Sequence, residues 1–357
     1  MIKTSYNFIK RFVLSLRRKS TSISTDKMSN QEFVNFCFRS ILGRDPDEGG
    51  ATAYMKALDA KVLTREDVLV QFVLSEEFKQ RTKNLECFPP GHFYSAIPSI
   101  EEREAYLASS FAKDELPGIR LNSVKQFELL KKLLTYYVDC PFRDEKTADL
   151  RYYFLNQSYS YTDALTLHSI IREFKPKRII EIGSGYSTSV MLDTSEVFFN
   201  NDINFTFIEP YPELLQSLIK PSDKKHIILA KRLQDIDIGI FNSLETNDIL
   251  FVDSTHVSKL GSDVNKIFFE ILPSLRKGVL IHFHDIFWPF DYPTDWVKKG
   301  VAWNEAYLLR SFLEFNDSFE VLFFSGYLHK NHSAWFQENM PLYLKNAGGN
   351  IWLMKQK

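Results

Sequence analysis

The stretch RIIEIGSGYST, residues 178–188, decides how the rest of the chain is read. Its first half is apolar except for Arg178 at its start and Glu181, the pattern of a strand buried on both faces. It runs directly into Gly183, Ser184 and Gly185, then into residues that can open a helix. A glycine-rich turn leaving a parallel strand lets a ligand approach the backbone beside a helix N-terminus. The third glycine of the dinucleotide fingerprint is absent, with Thr188 in its place, which argues against a pyrophosphate. The next apolar run, FTFIEP (205–210), ends in Glu209, 24 residues beyond Gly185. An acid there can accept hydrogen bonds from ribose hydroxyls.

Outward from this pair at 178–183 and 205–210, further strands are expected at 226–230, 248–253 and 279–284, each separated from the next by helical or loop sequence. Alternation of this kind predicts an α/β protein with a doubly wound, mostly parallel sheet. FEVLFFSG (319–326) and NIWLMK (350–355) close the sheet as a late pair, making seven strands. Ligands of such sheets bind outside the carboxyl ends of the strands. Strand four ends in FVDSTH, placing Asp253 and His256 there, and strand five ends in IHFHDI, with His284 and Asp285. Two carboxylates and an imidazole can ligate a divalent cation, and a neutral histidine beside them can take a proton from a substrate hydroxyl. His282, inside the strand, reads as a core residue.

The glycine turn with its following acid resembles the class I S-adenosylmethionine-dependent methyltransferases, with their Rossmann-like fold, over residues 151–357. That resemblance implies Glu181, Gly183, Ser184 and Gly185 near the methionine end of the cofactor, and Glu209 on its ribose. It implies Gln234 and Asp235 near the adenine. DSTH followed by HDI is similar to the metal-dependent sugar O-methyltransferases of macrolide biosynthesis. On that likeness Asp253, His284 and Asp285 are metal ligands and His256 is the base. His284 departs from the family, which has a glutamate there. Imidazole is a poorer ligand for magnesium than for manganese, so the expected cation is either of the two. The expected reaction is methyl transfer to a hydroxyl of a sugar or glycan intermediate. Two rivals stand beside it: a non-catalytic scaffold in glycan assembly, and a hydroxylase-like metal enzyme on the same sheet.

Ahead of this domain, residues 28–85 read as helices. LGRDPD (42–47), Gly50, Tyr54, Leu58 and the SEEF ending at Phe78 resemble a small all-α domain of unknown function, found in bacterial surface-layer and glycan-related proteins. Thr64 and Asp67 form a capping-box pattern, and residues 86–150 form a connecting segment with an amphipathic helix at 123–138. Residues 1–27 make a tail, basic and amphipathic, with no acid before Asp26. Such a segment suits peripheral contact with an anionic membrane through residues 1–24, and a frayed tail or mitochondrial-type presequence has the same composition.

Of 357 residues, 44% are hydrophobic and 25% charged, with a net charge of -1. That is ordinary globular composition and gives no reason to expect a nucleic-acid partner. Cys37, Cys87 and Cys140 are odd in number and far apart, suiting a reducing, cytoplasmic setting at or near the inner membrane face. No apolar run reaches the length of a membrane span. Trp288, Phe290, Tyr292, Trp296 and Trp303 either line a substrate pocket or cap the sheet as core. His92, His329 and His332 read as structural or surface residues.

Overall fold

A computed structural model describes residues 28–83, 88, 90–109 and 115–357. The basic tail lies outside the described residues, as does Cys87. Two compact units divide at Pro98.

In the first unit, helices α1 (Asn30–Cys37), α2 (Glu48–Asp59), α3 (Arg65–Leu74) and α4 (Glu76–Lys83) follow one another. α1 continues as a wider turn to Leu42, which ends at Gly43 with φ of 64°. Asp47 then caps α2 by accepting from the Gly50 amide at 2.7 Å. Thr64 and Asp67 make the reciprocal capping box at α3 that their spacing predicts. Phe33, Val34, Cys37, Phe38, Leu58, Val68 and Phe72 form the core. Burial pushes the Cys37 thiol up to about 12, so it is an inert packing residue.

The second unit opens with α5 (Ile100–Ala108), α6 (Ser123–Val138) and α7 (Tyr161–Phe174). The sheet then alternates with helices: β1 (Arg178–Ile182), α8 (Tyr186–Phe198), β2 (Asn204–Ile208), α9 (Glu213–Leu218), β3 (Ile227–Leu229), β4 (Ile249–Val252) and α10 (Asp263–Lys266, running on as a distorted helix to Ser274). β5 (Leu280–His284), α11 (Thr294–Lys299), α12 (Glu305–Leu313), β6 (Phe319–Phe324), α13 (Ser325–Asn339) and β7 (Asn350–Lys355) complete it. All seven expected strands are present, in the order β3-β2-β1-β4-β5-β7-β6. β7 is antiparallel to both neighbours, which is the arrangement of class I methyltransferases.

β1 pairs with β2 on one side and β4 on the other. Alternation along the strands sends Ile180, Ile182, Leu250, Val252, Ile281 and Phe283 to one apolar layer. Ile179, Phe251, Leu280 and Trp352 go to the other, beneath α7 and α8. Leucine and isoleucine on both faces explain why these strands read as unbroken apolar runs.

Arg151 adds a feature the sequence does not announce. Its buried guanidinium binds Asp193 at 2.6 Å, Asp223 at 2.6 Å and Glu196 at 2.7 Å, tying the 151 segment to α8 and to the turn before β3. A second departure concerns His329 and His332, which stand on α13 rather than in a polar surface connection. His329 packs 4.8 Å from the Phe336 ring and burial pulls its pKa down to about 4. His332 stacks on Phe127 at 4.1 Å. No helix among the described residues is long and apolar enough to cross a membrane.

Candidate functional site

The turn after β1 is shaped by two close approaches. Gly183 has φ of 79°, and a Cβ there would meet the Asp253 carbonyl oxygen at 2.0 Å. Only glycine fits that backbone and that gap. Its amide donates to the Ile208 carbonyl at 2.9 Å, and the Asp253 amide donates to Ile182 at 2.8 Å. The ends of β1, β2 and β4 are thereby bound into one edge.

Glu209 latches this edge from β2. One carboxylate oxygen accepts from the Ser184 amide at 3.1 Å and the other from the Tyr211 amide at 2.8 Å. Glu181 behaves differently from a ligand-facing acid: its two oxygens accept from the Ser187 hydroxyl, at 2.6 Å, and from the Thr188 hydroxyl. Burial pushes its pKa up to about 8 against those hydrogen bonds, so it is largely protonated at neutral pH. Glu181 secures the first turn of α8 from below.

A cavity of about 260 Å³ opens here. It is lined by Ser158, Tyr159, Gly183 to Ser187, Glu209, Leu214, Asp253, His284 and Asp285. Gln234 and Asp235 do not line it: Gln234 donates to the Gly261 carbonyl at 3.1 Å, and Asp235 pairs with Arg232 at 3.0 Å on the surface. A wider cavity of about 860 Å³, among Lys277, Phe319 and Gln356, contains none of these groups.

β4 and β5 are parallel neighbours with Val252 opposite Phe283, which sets Asp253 beside His284. Asp285 and His256 both take left-handed backbone, with φ of 56° and 59°. Non-glycine residues held this way concentrate where function demands a particular aim. The ligating atoms of Asp253, His256 and Asp285 lie within 4.8 Å of one another. His256 Nε2 is 3.3 Å from Asp253 Oδ1 and 3.6 Å from Asp285 Oδ2. His284 stands to one side, its Nε2 3.7 Å from the other Asp285 oxygen and its ring 5.1 Å from that of Tyr159. The imidazole that converges with the two aspartates is thus His256, whereas the motif likeness pointed to His284 for that position.

His256 has further partners that sequence reasoning missed. Its Nδ1 lies 2.9 Å from Glu305 Oε2, and its ring lies 4.3 Å from that of Trp303. Ser254 links the two, accepting from the His256 amide at 2.9 Å and donating to Glu305 Oε1 at 2.8 Å. Burial pulls the His256 pKa down, but the hydrogen bonds it donates to Asp253 and Glu305 outweigh it and raise the value to about 10. Burial pushes the Asp285 carboxyl up to about 6. Nothing in the sequence reading singled out Glu305, an acid in the first turn of a helix, a pattern shared by most helices.

Of the aromatics, Trp303 covers His256, while Trp296 packs on Trp303 at 5.0 Å and Phe287 at 5.3 Å. Trp288 turns instead toward Tyr327, and Phe290 and Tyr292 are core. His282 is core as expected, stacked on Phe251 at 4.0 Å, with burial holding its pKa well below the ordinary value.

Two known families match separate parts of the chain. Residues 180–286 match a family described as "Methyltransferase domain". Residues 11–82 match one described as "Domain of unknown function (DUF4214)". A protein of Archaeoglobus fulgidus, described as uncharacterized, is 35% identical over 169 residues, covering 45% of this chain and 76% of that protein. Among solved structures, the chain is similar to the O-methyltransferase TomG of Streptomyces achromogenes, involved in tomaymycin synthesis and solved with S-adenosylmethionine. The identity is 14%, over 72% of this chain and 96% of that one, with a TM-score of 0.36. It is also similar to CmcI, at 13% identity over 55% of this chain and 71% of that one, with a TM-score of 0.32. The fold rests on the strand order above rather than on either likeness.

Proposed function

The chain belongs to the same family as the Archaeoglobus fulgidus protein and carries a methyltransferase domain, and from that premise we propose a hydroxyl as its methyl acceptor. The reaction is S-adenosylmethionine-dependent O-methylation of a sugar or glycan intermediate. One observation carries the reading: the Gly183–Gly185 turn and Glu209 line the same cavity as Asp253, His284 and Asp285. A donor held at the turn would face the acid and imidazole cluster directly. Bound there, the donor would supply an activated methyl on its sulfur to the acceptor oxygen, and His256 Nε2, once neutral, would take the hydroxyl proton. Since the donor already carries an activated methyl, the work left to the protein is alignment and deprotonation.

The donor set fits a divalent cation, because two carboxylates and an imidazole nitrogen converge within 4.8 Å. Asp253 and Asp285 would hold it, with His284 beside them as nitrogen neighbour and His256 Nε2 left to take the proton. Bound there, a cation orients and acidifies a hydroxyl. It would also compete with the His256 proton for the same two carboxylates, leaving the imidazole neutral. The sugar acceptor is supported by the DSTH and HDI likeness and by the company of the N-terminal helical domain. Residues 1–24 are read as a membrane-surface contact.

The test is transfer of labelled methyl from S-adenosylmethionine to a panel of sugars and glycan extracts, with and without chelator. Label appearing on a hydroxyl, and lost in Asp253→Ala, supports the reading. Absence of labelled product with every acceptor, or oxidised product in its place, overturns it.

A further inference from the structure

Glu305 opens α12, 49 residues beyond His256, and its side chain is 1% exposed. Among the described residues its one ion-pair partner is His256. A carboxylate buried this deeply is unfavourable unless it is paired and hydrogen-bonded, and here one oxygen is engaged on His256 and the other on Ser254. Oε2 meets His256 Nδ1 at 2.9 Å, and Oε1 accepts from Ser254, whose hydroxyl in turn holds the His256 amide. The start of the same helix adds backbone contacts: the Asn304 and Glu305 amides both donate to the His256 carbonyl at 3.1 Å. Trp303 closes one face of the ring. A residue in left-handed backbone is therefore fixed at its amide, its carbonyl, its ring nitrogen and its ring face.

We infer that Glu305 is a positioning residue for methyl transfer, holding the His256 ring by Nδ1 so that Nε2 alone is presented to Asp253 and Asp285. An ionised carboxylate can only accept, so the Nδ1 it faces must carry the hydrogen. In the neutral imidazole that the proposed reaction needs, this fixes the tautomer and leaves Nε2 facing Asp253 and Asp285 as the nitrogen that takes the proton. The inference rests on the reading of His256 as the working imidazole of the proposed reaction.

Glu305→Gln keeps the shape and one acceptor oxygen while removing the charge, and Ser254→Ala removes one link. Glu305→Gln is expected to lower kcat roughly 10–100-fold, the usual loss for an outer carboxylate behind a functional histidine. Acceptor KM, S-adenosylmethionine affinity and thermal midpoint should stay at wild-type values, with Ser254→Ala giving a smaller loss of kcat. In a His256→Ala background, Glu305→Gln should lower the rate no further, because the two act as one unit. Equal losses in both backgrounds, or a fall in thermal midpoint and affinity that tracks the loss of rate, would mark Glu305 as structural and overturn the inference. So would wild-type kcat in Glu305→Gln. Should the wild type transfer no methyl group, the proposed reaction fails first, and imidazole ¹⁵N shifts decide the positioning role. A hydrogen on His256 Nδ1 that Glu305→Gln releases supports it, and unchanged shifts overturn it.

Discussion

Gly183 and Asp253 touch through backbone alone: the space a side chain would need at residue 183 is filled by the Asp253 carbonyl, 2.0 Å from the ideal Cβ position. The glycine turn after β1 and the acid of β4 are therefore one mechanical unit. Gly183→Ala should cost about 1–2 kcal/mol for the left-handed backbone, and more as the two strand ends part. Calorimetry should show S-adenosylmethionine binding weakened at least tenfold. Wild-type affinity in that variant would mean the donor does not bind at this turn.

Glu209 holds the same turn through the Ser184 and Tyr211 amides. Glu209→Ala leaves both donors without their partner and removes the proposed ribose acceptor. S-adenosylmethionine affinity should fall by about 1–3 kcal/mol, the scale for a polar partner left unsatisfied. Equal binding by wild type and variant would reassign the acid to a purely structural latch.

Removal of divalent cations by a chelator should abolish methyl transfer, and manganese should restore it better than magnesium, given the imidazoles beside the two aspartates. Asp253→Ala and Asp285→Ala should each lose bound metal and activity together. His256→Ala should lose roughly 10²–10⁴-fold in rate, the usual worth of a positioned base. Activity untouched by chelation, in protein free of metal by elemental analysis, would remove the cation from the mechanism.

Glu181 makes stability depend on pH. Its folded pKa of about 8 stands above the ordinary 4.5, so the unfolded chain releases this proton first. Its contribution is fully present below pH 4.5 and is lost as pH rises through 8. Glu181→Gln cannot ionise, so its thermal midpoint relative to wild type should rise between pH 5 and pH 9. A constant difference across that range would mean Glu181 is ionised in the folded protein.

Deletion of residues 1–24 should leave methyl transfer to a water-soluble acceptor intact and abolish sedimentation with anionic vesicles. Salt should weaken the intact protein's association, since screening shortens the reach of its lysines and arginines. Failure of the intact chain to sediment would end the membrane reading.

The parallel strands were legible from residue order because a strand covered on both faces must be mostly apolar, and RIIEIG, DILFVD and VLIHFH carry their charged and imidazole groups singly within apolar runs. The same holds for local chemistry: Thr64 and Asp67 announce a helix start, and Gly183 announces a turn that no other residue fits. Asp253, His256, His284 and Asp285 were legible as residues of one strand edge, since Asp253 directly follows one apolar run with His256 three residues on, and His284 and Asp285 end the next. What the sequence could not say is which imidazole meets the two aspartates. Strand alternation carries His284 toward Tyr159, while the left-handed turn at His256 swings its ring back over the cluster, and neither aim is a property of spacing. Glu305 and Arg151 were silent for a related reason. Their partners lie 49 residues and 42 to 72 residues away, and a charged residue is expected at the surface until the fold surrounds it. Composition and periodicity report which face of an element is buried. Only the packing of α12 against the end of β4, and of the 151 segment against α8, decides which charges are buried with it.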